Sequence, residues 1–341
     1  MMHSGSCLDV VGGCLAAIAL TLATAGCATT PVDPPADAPP DALPRALAAE
    51  TVCEFAREAK PEGLSALSRI SGNRYYSVDD RGGLLFELEI TLNAAEDDGA
   101  CRVIRKVRLD GRVDLEGCAY DPLDGRVWVS DEHDHSIRQF DPATGRETAS
   151  VAVPDVFLKW MRKNRSFEAL TISPDGLRLY AANEDTLTID GPAASAATGG
   201  LVRVQEFVRR GAGDPWRATR QFRYATEPVA GGTFAGMALS GVAALLAPGD
   251  GTLLVLEREM SRKNPLFPSF YARLFAFDLS DAASPVGKRL VWEEDTMFAN
   301  YEGMAFGPVL KDGTQSLVLV SDGGGPAEER IQVLSLTARQ K

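Results

Sequence analysis

Apolar and polar residues alternate in short runs along most of the chain, and Gly, Pro, Asp and Asn break the runs apart. Alternation sends successive side chains to opposite faces of an extended strand, so the pattern predicts β-structure rather than helix. The fullest unit is Asp114-Leu-Glu-Gly-Cys-Ala-Tyr-Asp-Pro-Leu-Asp-Gly-Arg-Val-Trp-Val-Ser-Asp131-Glu132. Two strand-like runs flank a Pro/Asp/Gly turn, and the second ends in acids. A second copy runs from Ser166 to Asp185, with looser ones from Leu64 to Asp80, Ser240 to Glu259 and Tyr301 to Asp322. Each reads as a β-hairpin.

Further strand-like runs follow most hairpins: Leu84 to Ile90 and Arg102 to Leu109, Ser136 to Phe140 and Glu147 to Val153, Leu201 to Val208 and Arg217 to Tyr224, Tyr271 to Leu279 and Lys288 to Trp292. Four antiparallel strands per unit, repeating at roughly 50 to 70 residues, predict an all-β propeller. Five blades are visible, and a sixth would have to lie in irregular sequence. The last unit has only Ile331 to Leu336 as a third strand, so Thr51 to Phe55 is expected to supply its fourth and close the ring. An open sandwich of the same strands is the alternative. Between the second and third units, Asp155 to Lys163 has Phe157, Trp160 and Met161 on one helical face, and Thr186 to Gly200 reads as a flexible rim loop.

Propeller topology gives the acids a common address. The innermost strand of a blade comes first and the next returns antiparallel, so starts of first strands and ends of second strands share one end. Glu116, Glu168 and Glu302 start first strands, whereas Asp79, Asp80, Asp131, Glu132, Glu184, Asp185, Glu257, Glu259 and Asp322 end second strands. All should gather at one mouth of the central channel. Crowded carboxylates raise one another's pKa unless a cation compensates. Calcium, which takes six to eight oxygens in flexible geometry, is the natural compensator. The expected metal set is Glu116, Asp131, Glu168, Glu184, Glu257, Glu302 and Asp322.

Composition narrows the rest. Acidic residues outnumber basic ones 47 to 35, giving a net charge of -12 that opposes a polyphosphate backbone and argues against nucleic acid as a partner. The first 26 residues carry an apolar stretch from Val10 to Ala25, too short to span a bilayer comfortably, and read as an export signal. Leu22-Ala23-Thr24-Ala25-Gly26-Cys27 resembles a bacterial lipobox, which would make Cys27 the diacylated N-terminus and anchor the protein to a membrane of the cell envelope. Residues 27–50 then form a Pro/Ala-rich tether and 51–341 the propeller, read as a monomer. Cys53, Cys101 and Cys118 remain, so at most one disulfide forms and one thiol stays free.

Asn164 to Asp185, Leu254-Val-Leu-Glu-Arg258, and Asn300-Tyr-Glu-Gly-Met-Ala-Phe306 followed by Leu319-Val-Ser-Asp322 resemble the phytase-like family called esterase-like activity of phytase, over about residues 60 to 338. The resemblance implies a propeller with esterase or phosphoesterase chemistry. No Gly-x-Ser-x-Gly elbow, His-Glu-x-x-His helix or Walker loop occurs, and Gly323 to Gly325 is a turn rather than a phosphate cradle. His133 and His135, in Asp131-Glu-His-Asp-His135, lie just past a second strand, where an imidazole can trade protons near neutrality. Arg81, Arg165, Arg258, Arg262 and Lys263 lie beside acidic strand ends, and Arg grips an oxyanion with parallel hydrogen bonds. The catalytic candidates are therefore Glu168, His133 and Arg258. The expected activity is calcium-assisted hydrolysis of a small anionic or ester substrate, with a non-catalytic binding module or a lactonase as alternatives.

Overall fold

The computed structural model describes residues 50–55, 61, 63–92, 100–112, 114–230, 238–261, 269–297, 299–310, 313–322 and 330–336. Residues 1–49, on which the expected export signal, Cys27 and tether fall, and Arg262, Lys263 and Gly323 to Gly325 lie outside them. Five four-stranded antiparallel sheets form the ring of a five-bladed propeller.

Blade I comprises β2 (Ser68–Ser71), β3 (Arg74–Val78), β4 (Leu84–Thr91) and β5 (Ala100–Arg108). Blade II comprises β6 (Leu115–Asp121), β7 (Arg126–Asp131), β8 (Ser136–Phe140) and β9 (Glu147–Ser150). Blade III comprises β10 (Phe167–Ile172), β11 (Arg178–Asn183), β12 (Leu201–Val208) and β13 (Arg217–Ala225). Blade IV comprises β14 (Ala238–Leu246), β15 (Thr252–Ser261), β16 (Ser269–Asp278) and β17 (Lys288–Met297). Blade V takes β18 (Asn300–Val309), β19 (Gln315–Asp322) and β20 (Arg330–Leu336), and β1 (Glu50–Glu54) completes it by pairing with β20. The ring thus closes with the N-terminal strand, and no sixth blade occurs among the described residues.

Burial records each strand's radial position. β7 and β11 are almost continuously buried, since both faces of an inner strand pack on neighbouring blades, whereas β5 alternates and β9 is exposed throughout. Five apolar clusters fill the five blade interfaces; the one between II and III holds Trp128, Phe157, Phe167 and Leu179. Hairpin turns follow the sequence signal. Gly125 (φ 66°) closes Asp121 to Gly125 with its N–H on the Asp121 carbonyl at 2.9 Å, a left-handed conformation that costs glycine little.

The helix α1 (Asp155–Trp160) stops three residues short of the predicted Lys163, because Met161 turns to extended backbone and Arg162 bridges Arg165. The rim loop is pinned: Asp190 pairs with Arg203 (2.6 Å) and Arg223, and Arg162 donates to the carbonyls of Thr186 and Gly191, both at 2.8 Å.

Cys53 of β1 is disulfide-bonded to Cys101 of β5, and Cys118 is a buried free thiol. The bond ties the outermost strands of blades V and I, where the chain's start meets the rest of the ring. Its closed loop of 48 residues corresponds to about 4 kcal/mol in the chain-entropy model. Replacing both cysteines by Ser is expected to lower the unfolding free energy by about 2–4 kcal/mol. Urea unfolding checks this; an unchanged midpoint would mean that the β1–β20 ladder closes the ring unaided.

Candidate functional site

Three first strands carry, within their first three residues, a glutamate followed by a small residue: Glu116-Gly117, Glu168-Ala169 and Glu302-Gly303. In each, the pairing register slips at that point, between Leu115 and Cys118, Phe167 and Ala169, and Tyr301 and Gly303. The inner strand therefore carries an extra residue, a β-bulge that re-aims a side chain. The small residue has its own reason. A Cβ on Gly117 would lie 2.7 Å from the Leu170 Cβ, and one on Gly303 would lie 2.5 Å from the Ala66 carbonyl carbon. Neighbouring first strands approach too closely there for a side chain. The inner wall, with Cys118, Leu170, Ala244 and Met304 beside Glu168 and Glu302, leaves room for about one water.

The carboxylates meet around Arg258 of β15. Its Nη2 donates to Glu184 Oε1 at 2.6 Å and Glu168 Oε1 at 3.1 Å; its Nη1 donates to Asn300 Oδ1 at 3.3 Å and, more closely, to Glu302. Acids from blades III and V thus share one guanidinium from blade IV. Arg165 Nη1 adds a fork onto both Glu184 oxygens, the longer contact at 2.6 Å. Glu132 Oε1 accepts the Ser166 N–H at 2.9 Å, bringing in blade II. Ligand oxygens of Glu132, Glu168 and Glu184 lie within 4.8 Å of one another, and so do those of Asp114, Glu116 and Glu132.

Burial and mutual repulsion set the protonation. Glu116 and Glu168 are held well above the usual carboxylate range, first by burial and then by neighbouring glutamates, with Arg258 opposing. Burial lifts Glu302 to about 8 despite Arg258. Glu132 is raised by burial and by Glu184, against the Ser166 N–H that favours its charge. For Arg258 burial works against the charge, and Glu302, Glu184 and Glu168 outweigh it, pushing its pKa up. Glu116 differs from the others: it is nine-tenths buried and has no hydrogen-bond or ion-pair partner among the described residues.

The remaining sequence candidates scatter. Glu257 and Glu259 face away from Arg258, as period two requires. Glu257 accepts from Lys288 (2.6 Å), Tyr224 (2.7 Å) and the Glu227 N–H (2.8 Å), and Glu259 from the Ala230 N–H (2.8 Å). Asp131 pairs with Arg112 at 3.4 Å and caps the turn through the His133 N–H at 3.0 Å. Asp322 lies close enough to Glu302 to raise its pKa. His133 is exposed, burial raises the nearby Asp114 carboxyl above its ordinary range, and His135 Nδ1 is 2.9 Å from Ser166 Oγ. Arg81 donates to the adjacent Asp80 at 3.3 Å. Glu132 and Asp114 join the cluster although the metal set read from the sequence omits them. The signal was present for Glu132, one residue past Asp131 and on the opposite face.

Comparison with curated proteins gives no match. A solved gluconolactonase of Xanthomonas campestris is 13% identical, with TM-score 0.39 over 90% of this chain and 99% of that one. A PQQ-bound aldose sugar dehydrogenase of Streptomyces coelicolor is 12% identical, with TM-score 0.42 over 85% and 98%. The family model described as "Phytase-like: Esterase-like activity of phytase" matches residues 60–323, and the chain belongs to that family.

Proposed function

We propose that the protein is an exported hydrolase of ester or phosphoester bonds that works with a calcium ion at the acidic mouth. The observation that carries this reading is Glu116, a buried carboxylate without a hydrogen-bond or ion-pair partner among the described residues, whose oxygen groups with those of Asp114 and Glu132. The donor set is all carboxylate oxygen, which suits a hard cation. Asp114, Glu116 and Glu132 would hold it, and the ion would supply a polarised substrate oxygen and an activated water.

The chain's own residues divide the remaining work. Arg258 spends its donors on Glu168, Glu184, Glu302 and Asn300, so it positions acids rather than gripping substrate. Arg165, a quarter exposed, commits one nitrogen to Glu184 and keeps others for an anionic or ester oxygen. Glu168, held protonated by burial, is the general acid for the leaving group. His133, exposed beside Asp114, passes protons to solvent. The narrow channel keeps the reaction at the mouth.

EDTA-stripped protein is expected to hydrolyse at least one of an aryl ester, a phosphomonoester or a lactone only after calcium is restored; no calcium-dependent turnover on any of the three removes the hydrolase reading. Calcium should also raise unfolding stability by about 2.7 kcal/mol at hundredfold excess over Kd. Glu116→Gln should abolish that shift while leaving the metal-free protein about as stable as wild type, since the amide replaces a carboxyl that burial already favours in its neutral form. An unchanged calcium shift in the variant would place any ion elsewhere.

The same reading puts the protein on the cell envelope through a lipid on Cys27, with residues 28–50 as the tether. Cys27→Ala is expected to move the protein from the detergent to the aqueous phase in phase separation; identical partitioning would count against the anchor.

A further inference from the structure

At the end of the propeller opposite the carboxylates, the turns of blades III and IV stand apart. Ser173 to Asp175 between β10 and β11, Ala247 to Thr252 between β14 and β15, and Asp278 to Ser280 between β16 and β17 enclose a cleft of about 520 Å³. That volume lies in the ordinary range for small-molecule sites. The mouth chemistry makes no use of it.

The cleft is braced rather than incidental. Arg220 of β13 donates through Nε (3.1 Å) and Nη2 (3.0 Å) to both oxygens of buried Glu206, and its Nη1 crosses to the Leu279 carbonyl of blade IV at 2.8 Å. Thr219 Oγ1 at 2.8 Å and Tyr180 OH at 3.3 Å complete the Glu206 carboxylate. Arg220 and its neighbours therefore already neutralise Glu206. Arg178 comes no nearer to it than 3.4 Å, is half-exposed, and keeps its other guanidinium N–H groups without partners among the described residues. Asp175, in the adjoining turn, accepts from the Leu177 N–H at 3.0 Å and from Ser173 Oγ, and these bonds hold it ionised.

The wall thus carries both signs: Asp175 and Asp278 with Arg178 and Arg220. An anion entering the cleft meets Asp175 and Asp278, and a cation meets Arg178 and Arg220. A neutral ligand with neighbouring hydroxyls meets no such conflict, because one hydroxyl can accept from Arg178 while the next donates to Asp175. Pro174, Ala247 and Leu279 supply the apolar surface that covers the C–H face of such a molecule.

We infer that the cleft between blades III and IV is a binding site for a neutral polyhydroxylated ligand, a mono- or disaccharide, recognised by the Arg178–Asp175 pair. This site stands independently of the mouth and of any metal there.

Saturation-transfer NMR on the purified protein in EDTA tests it, with D-glucose and maltose as neutral probes and gluconate and glucosamine as charged ones. The neutral sugars should bind, and Arg178→Ala and Asp175→Asn should each weaken them by about tenfold. Ser280→Tyr, which narrows the cleft without touching the charged pair, should weaken them too. Tighter binding of gluconate or glucosamine would overturn the ligand class. No binding of either neutral sugar up to about 10 mM, or affinities unchanged in all three variants, would overturn the site.

Discussion

The structure turns on one electrostatic constraint: glutamates from several blades are buried at the channel mouth with a single guanidinium, that of Arg258, at their centre. Burying even one carboxylate without compensation is costly, and the cost grows when like charges share a site. Arg258 meets Glu168, Glu184 and Glu302 at once, which ties blades III, IV and V through their most expensive groups. Removing it would strand three acids, a change of the kind that costs about 3–5 kcal/mol. The bulges at Glu116, Glu168 and Glu302, the glycines behind two of them and the ring closure by β1 all serve to bring these side chains to one point.

Compensation is nevertheless incomplete, and the shortfall is local. Blades III, IV and V have Arg258 and Arg165, whereas Glu116 on blade II has no partner among the described residues and is raised well above its ordinary pKa by burial, Glu168 and Glu302. The imbalance marks where a cation would be most stabilised. Acids on the far face of β15 are compensated by other groups: Glu257 has Lys288, Tyr224 and the Glu227 N–H, and Glu259 has Arg273 and the Ala230 N–H.

Much of this was legible in the sequence. The Asp121 to Gly125 and Ser173 to Gly176 turns announced hairpins because glycine relieves a positive φ there, and the short last unit announced that Thr51 to Phe55 must return to it. The faces were harder to read. Counting by twos fails across a bulge, since one inserted residue inverts the parity of everything beyond it. The extra residue lies on the first strands, whereas on the unbulged second strands plain alternation sends Asp131 to Arg112 and Glu132 to the cluster, and Glu257 and Arg258 to opposite faces. An odd cysteine count allowed one disulfide but not its partners; spatial proximity across the ring closure joined Cys53 to Cys101 rather than the buried Cys118.

The central claim is that the mouth holds carboxylates whose protons the unfolded chain would release. Their folded pKa values are raised, so unfolding gives up protons and stability must fall as pH rises, from the ordinary value of 4.5 through the folded value of about 8 at Glu302. Acids held below their ordinary range, such as Asp190 and Glu206, act in the opposite sense but at lower pH. The most direct measurement is the urea-unfolding free energy of metal-free protein across that interval. The account predicts a steady decline that Glu302→Gln makes shallower; a flat or rising profile, with the variant no different, would contradict it.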